Sequence, residues 1–265
     1  MVLESLISIR EAMKRPWWMF VIGGIVSVLC LFVSFLVFPN SVGLFTTFLI
    51  TISMAPFMVK LVSYEEATTE EQLKTNTHGN FLEKHGGILS IYTAFFAGMI
   101  IFLSLVFLTL PEDTVQKLFQ DQINEIELIR GNVIFGGTFE RIVFNNIGVL
   151  ILSVLFSFLF GAGAVFILAW NASILATAIG LTAKSIGGLH SLPVAVLVYF
   201  PHGSLEIMAY FIGAVAGGMI SAAFIRRRSQ GFWPVAKDSI MLIVIAAVVL
   251  VIAGVVETAS IAVSG

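Results

Sequence analysis

The amino-acid sequence predicts an all-α fold: a polytopic transmembrane helix bundle of about seven membrane segments, one of them broken or re-entrant, plus an amphipathic helix outside the membrane. Three observations carry this. The 265 residues include only 14 Lys and Arg and 16 Asp and Glu, or 11% charged; a soluble globular protein has roughly 25%. Hydrophobic residues make up 58%, with 24 Phe among them. The charges are also missing in long blocks: none falls in 16–59, 86–111, 142–183, 185–205, 207–225 or 239–256. A chain this poor in charge cannot clothe a soluble core, and it is far too apolar for a disordered one. The net charge of −2 gives no basic footprint for nucleic acid. The single Cys30 permits no disulfide framework.

A helix needs about 20 apolar residues to cross the hydrocarbon core. The blocks therefore divide into segments at 17–38, 42–62, 87–110, 143–169, 172–200, 203–225 and 236–257. The first two share one charge-free block and turn at Pro39-Asn40-Ser41. The fourth ends near Trp170-Asn171. The fifth carries Lys184, Gly187-Gly188, His190 and Pro193, so it reads as broken or re-entrant; irregular backbone at membrane depth survives only where protein or water covers it. Trp17, Trp18, Trp170 and Trp233 fall at expected span ends, where aromatic rings anchor to headgroups. The first segment is too long, and lacks the small-residue cleavage site, for a removable signal peptide.

Two polar loops interrupt the apolar pattern. Residues 63–85 are acidic (Glu65, Glu66, Glu70, Glu71, Glu83), with an expected helix start at Thr68-Thr69-Glu70-Glu71. Residues 111–141 open on Pro111-Glu112-Asp113-Thr114, a helix-start pattern. Val115, Leu118, Phe119, Gln122, Ile123, Ile126 and Ile129 then recur at helical spacing. Such a helix lies on the membrane surface, meets a partner or caps its own bundle. The chain is thus one integral membrane domain, residues 1–265, with three spans in 1–110, the amphipathic loop at 111–141 and a C-terminal half at 142–265.

Lys and Arg concentrate on cytoplasmic loops. With the N-terminus cytoplasmic, that side collects Arg10, Lys14, Arg15, Lys60, Lys74, Lys84, Arg226, Arg227, Arg228 and Lys237. The far side collects only Lys117, Arg130 and Arg141, with Lys184 unassigned. Seven crossings then place the C-terminus outside the cell membrane.

Polar residues within apolar segments are costly and mark interior faces or cavities. Asn145 and Asn146 open the fourth segment, and Asn171 closes it. His202 and Glu206 open the sixth and, four apart, share a helical face; Glu257 closes the seventh. A hydrogen-bonded pair, a substrate or ion contact, and a metal site with His190 or Glu257 are the readings of His202/Glu206. The spacing lacks the second His of the zincin pattern. Ala209, Gly213, Gly217 and Ser221 recur every four residues, with Ala214, Gly218 and Ala222 beside them and Ser153, Ser157 and Gly161 on the fourth segment. Small residues so spaced let helices approach closely, either within the chain or across a homodimer seam. No nucleotide loop, nucleophile elbow or dinucleotide fingerprint is present, so no cofactor is expected.

The C-terminal half also shows an order of motifs. Phe144-Asn145-Asn146-Ile147-Gly148 leads to Gly161-Ala162-Gly163, then Trp170-Asn171-Ala172, then Pro201-His202-Gly203-Ser204-Leu205-Glu206, then a small-residue span and a last span ending at Glu257. Over about residues 140–260 this resembles the stage II sporulation protein M (SpoIIM) family, whose members often carry Asn-Gly where this chain has Asn171-Ala172. The resemblance implies a membrane component without catalysis of its own, since the sporulation member belongs to a peptidoglycan-remodelling complex whose partners are the hydrolases. It therefore implies a scaffold with protein partners in the lipid bilayer. Two other readings remain from the residues: a transporter subunit with a polar cavity lined by Asn171, Lys184, His202 and Glu206, and an intramembrane metal-dependent hydrolase using His190, His202, Glu206 and Glu257.

Overall fold

The computed structural model describes residues 8–74, 81–133, 138–160, 164–225 and 232–264. Among these the chain is helical, with no strand. The helices are α1 (Ile9–Lys14), α2 (Trp17–Val37), α3 (Val42–Lys74), α4 (Phe81–Thr109), α5 (Glu112–Leu118), α6 (Gln120–Val133), α7 (Thr138–Phe160), α8 (Ala164–Ile186), α9 (Leu192–Ile225) and α10 (Phe232–Ser264). Seven of them (α2, α3, α4, α7, α8, α9 and α10) are long and apolar enough to cross a membrane.

The short α1 is fixed by a reciprocal cap. The Glu11 backbone N–H donates to Ser8 Oγ at 3.3 Å, and the Ser8 backbone N–H donates to the Glu11 carboxylate at 3.2 Å. These bonds hold the Glu11 carboxyl below its ordinary range. The amphipathic loop forms two helices, α5 and α6, rather than one. Their apolar side packs onto the chain's own bundle, with Val115, Leu118, Phe119 and Gln122 buried. Asp121 accepts the backbone N–H groups of Gly43 (2.9 Å) and Leu44 (3.3 Å) at the start of α3, where free amides and the helix dipole favour a carboxylate. Gln122 Nε2 donates to Ser173 Oγ of α8 at 3.2 Å. Among the described residues of the stripe, Val115, Leu118, Phe119, Gln122 and Ile126 are therefore used internally.

Close packing comes from glycine. A Cβ at Gly23 of α2 would collide with the Phe95 backbone of α4, and one at Gly98 of α4 with the Phe20 backbone of α2. The two helices thus meet backbone to backbone.

Three sequence-based boundaries move. The fourth crossing ends at Phe160 and the fifth begins at Ala164, so Trp170-Asn171 is not a turn. It lies inside α8, where Asn171 Nδ2 donates to the Ile167 carbonyl at 2.8 Å and Ser173 Oγ to the Trp170 carbonyl at 2.8 Å. Polar side chains bonding back to their own helix can remain in its interior. Nor is 172–200 a broken or re-entrant segment. Its breaking residues form the turn between two full crossings, α8 and α9. Gly188 takes φ +75°, a left-handed conformation that suits glycine, and a 3₁₀ turn covers Gly188–Ser191. Finally, α9 runs through Pro201 for 34 residues, so His202 and Glu206 sit within a crossing instead of opening one. The acidic loop shortens likewise. Thr68 lies inside α3, donating to the Tyr64 carbonyl at 2.9 Å, and starts no helix. Arg226, Arg227, Arg228 and Gly161-Ala162-Gly163 lie outside the described residues.

Trp17, Trp18 and Trp233 are exposed close to helix ends, whereas Trp170 is six residues inside α8. Leu36, Phe144, Leu159 and Val255 are among the large apolar side chains exposed on the outside of the bundle. That is the surface lipid would cover.

Candidate functional site

On α9, His202, Glu206 and Tyr210 recur every four residues and share a face. That face meets α7 at Asn146 and α10 at Glu257. Asn146 Nδ2 donates to Glu206 Oε1 at 2.6 Å, and Tyr210 Oη donates to Asn146 Oδ1 at 2.9 Å. Asn145 Nδ2 reaches the same oxygen at 3.3 Å. The Asn146 amide therefore has a fixed orientation, with its nitrogen on the carboxyl and its oxygen on the phenol. Glu257 of α10 lies within electrostatic reach of Glu206. His202 lies one turn from Glu206, within electrostatic reach of Glu257. Its Nδ1 is buried with no hydrogen-bond partner. Asn146 is eight residues from the start of α7 and Glu257 seven from the end of α10, both about 10–12 Å from the end of the bundle that carries α5 and α6.

Five of the sequence-predicted polar residues thus come together: Asn145, Asn146, His202, Glu206 and Glu257. Asn171 does not join them, because its amide is committed to its own helix. Lys184 is also elsewhere. It sits at the α5–α6 end, where Nζ donates to Glu112 Oε2 at 2.6 Å and lies 4.9 Å from the Phe107 ring centroid. That contact and Gln116 hold the Glu112 carboxyl below its ordinary range, though a pair this exposed stabilises little. Asn171 and Lys184, thirteen residues apart on α8, are separated by about 20 Å. Among the described residues, no hydrogen bond or ion pair joins either of them to His202 or Glu206. His190 lies exposed in the 3₁₀ turn. Among the described residues no three His, Cys, Asp or Glu side chains are placed to hold a metal ion. Tyr210 is the member of the cluster that sequence reasoning missed; its position four residues after Glu206 was the available signal.

The small-residue row of α9 is filled from within the chain. Ala209, Gly213, Gly217 and Ser221 are buried. A Cβ at Gly213 would strike Leu150, and one at Gly217 the Val154 backbone, both on α7. Ser157 Oγ of α7 donates to the Ala214 carbonyl at 2.6 Å. This row packs against α7 of the same chain.

A second polar cluster, at the opposite end, has no counterpart in the sequence reading. His85 of α4 places Nδ1 2.6 Å from Glu65 Oε1 of α3 and Nε2 3.3 Å from Asp238 Oδ2 of α10. His85 and Glu65 are 2% and 3% exposed. The Glu65 contact is a hydrogen bond, whereas Asp238 Oδ2 lies within ion-pair distance of Nε2 without accepting a hydrogen bond. The sequence places Glu65 in the acidic loop 63–85. Only the continuation of α3 past the apolar stretch buries it.

The family model for stage II sporulation protein M matches residues 34–260. The match extends far N-terminal to the motifs of the C-terminal half and takes in α3 to α6. No curated protein and no solved structure matches the chain.

Proposed function

The chain belongs to the stage II sporulation protein M family, and we propose that it acts as a non-catalytic membrane scaffold or assembly component that recruits envelope-remodelling or other membrane proteins. One observation carries the reading. Asn145 and Asn146 of α7 and Glu206 and Tyr210 of α9 are hydrogen-bonded to one another within the spans, with Glu257 of α10 close by. Hydrogen bonds between membrane helices each contribute on the order of 0.6–2 kcal/mol, so such a set rigidifies a platform. The transporter reading needs Asn171 and Lys184 beside His202 and Glu206, and the hydrolase reading needs His190 there. Neither set converges.

The distribution of Lys and Arg supports a cytoplasmic N-terminus and an extracytoplasmic C-terminus. The α5–α6 layer then faces outward, and Lys184, paired with Glu112, joins the outward set. Its exposed polar side (Asp113, Gln116, Lys117, Asn124 and Glu127) is the surface available to an extracytoplasmic partner.

Crosslinking of the full chain in intact membranes, followed by purification in mild detergent, tests the proposal. The expected result is a stable homo-oligomer or a specific partner crosslinked to α5–α6. A monomer that alone moves a solute across proteoliposomes, or turns one over, overturns it.

A further inference from the structure

We propose that the end of the bundle formed by α1 and the starts of α2 and α10 binds the headgroups of anionic phospholipids, through Lys14, Arg15 and Lys237 set beside Trp17, Trp18 and Trp233. Two crossings carry a stripe of exposed apolar side chains. On α2 it runs through Ile25, Leu29, Phe32 and Leu36, and on α10 through Ile240, Val244, Val248, Val251 and Val255. Steps of three, four and seven keep each set on one helical face. Trp18 is seven residues before Ile25 and Trp233 seven before Ile240, so both exposed indoles head their own stripe. Trp17 stacks on Trp18 with ring centroids 4.2 Å apart. Lys14 and Arg15 lie exposed at the link from α1 to α2, and Lys237 is exposed one turn after Trp233.

The lengths fit a bilayer. Trp18 to Leu36 and Lys237 to Val255 each rise about 27 Å along the helix, close to the ~30 Å of a hydrocarbon core. With the stripes in the acyl layer, the indoles and cations fall among the headgroups, where rings anchor and Lys or Arg meets anionic lipid. Both stripes begin at one end of the protein. Met13 of α1 reaches the Cβ position of Gly87 on α4 at 3.4 Å, and His85, two residues earlier on α4, meets Asp238, the neighbour of Lys237.

Charge at this end is sorted by direction. Asp238 and Glu65 are turned to His85, and the Glu11 carboxylate is bonded to Ser8. These carboxylates face partners in the protein, while Lys14, Arg15 and Lys237 face outward beside the indoles. A zwitterionic headgroup would suit the indoles but bring the cations no net charge. A soluble anion would meet the cations but leave the apolar stripes uncovered. A lipid with a net negative headgroup does both.

Native mass spectrometry of the full-length protein, released from mild detergent with equimolar phosphatidylglycerol and phosphatidylcholine of the same acyl chains, tests this. The expected result is retention of phosphatidylglycerol over phosphatidylcholine by about fivefold or more, the factor one Lys or Arg supplies at an anionic surface. The preference should fall toward one in a Lys14→Gln/Arg15→Gln/Lys237→Gln variant and persist in Lys117→Gln, which removes an exposed cation at the opposite end. Inorganic phosphate in large excess should not displace the bound lipid. Equal retention of the two lipids by the wild type, an unchanged preference in the triple variant, an equal loss in Lys117→Gln, or displacement by phosphate overturns the proposal. All four substitutions are at exposed positions, and an unchanged elution profile on size-exclusion chromatography shows that each variant is folded. The measurement needs neither a protein partner nor a known sidedness, so its outcome is separate from that of the scaffold reading.

Discussion

His85 shows how much one side chain at a helix end can decide. It lies between Glu65 and Asp238, which come from two other helices, and so ties α3, α4 and α10 together. Removing one member of a buried ionic set costs about 3–5 kcal/mol, because the remaining charges lose their compensation. His85→Gln should therefore lower the unfolding midpoint in detergent strongly. Adding Glu65→Gln should recover part of the loss, since the second change removes a charge that the first left uncompensated. Equal and additive losses would show that His85 does not mediate the contact. None of this was visible in the sequence: His85 and Asp238 flank apolar segments, where a charge normally reaches water.

At the scale of elements, glycine positions separate helix contacts from open helix surface. Gly23 and Gly98 bring α2 against α4, and Gly217 brings α9 against the Val154 backbone of α7. Gly148 of α7 has nothing within 4 Å of a Cβ position. Gly98→Leu and Gly217→Leu should abolish monodisperse protein on size-exclusion chromatography, because backbone cannot move aside as a side chain can. Gly148→Ala should leave the elution profile unchanged, and its higher helix propensity favours the fold. A tolerated Gly217→Leu would mean that α7 and α9 are not in backbone contact. The four-residue spacing of the α9 row was legible in the sequence, but the helix it served was not. A small-residue stripe fits a neighbour in the same chain or another copy equally well.

For the whole molecule, the two polar clusters lie in opposite halves of the bundle, and α10 contributes to both, through Asp238 near its start and Glu257 near its end. That helix couples the two ends by position. The sidedness proposed from Lys and Arg is open to a direct check. Cysteines placed at exposed Lys117 and at Asn124 should react with a membrane-impermeant reagent added outside intact cells, and one placed at exposed Lys237 should not. The reverse pattern would invert the bundle and put the α5–α6 layer on the cytoplasmic side.

The sequence by itself determined the membrane class, the number of crossings and the family, because each rests on local signals: apolar length, absent charge and short motifs in order. It also picked out Asn146, Glu206 and Glu257, since a polar residue inside an apolar stretch stands out whatever it touches. Only the tertiary structure decided where the later crossings begin and end. A mid-helix Asn171 bonding to its own backbone and a capping Asn look alike in one dimension, and two glycines can break a span or turn between spans. The partners of Glu206, the exclusion of Asn171 and Lys184, and the His85 cluster were likewise settled by packing. Each joins residues far apart in the chain, and only the arrangement of the helices brings them within a hydrogen bond's reach.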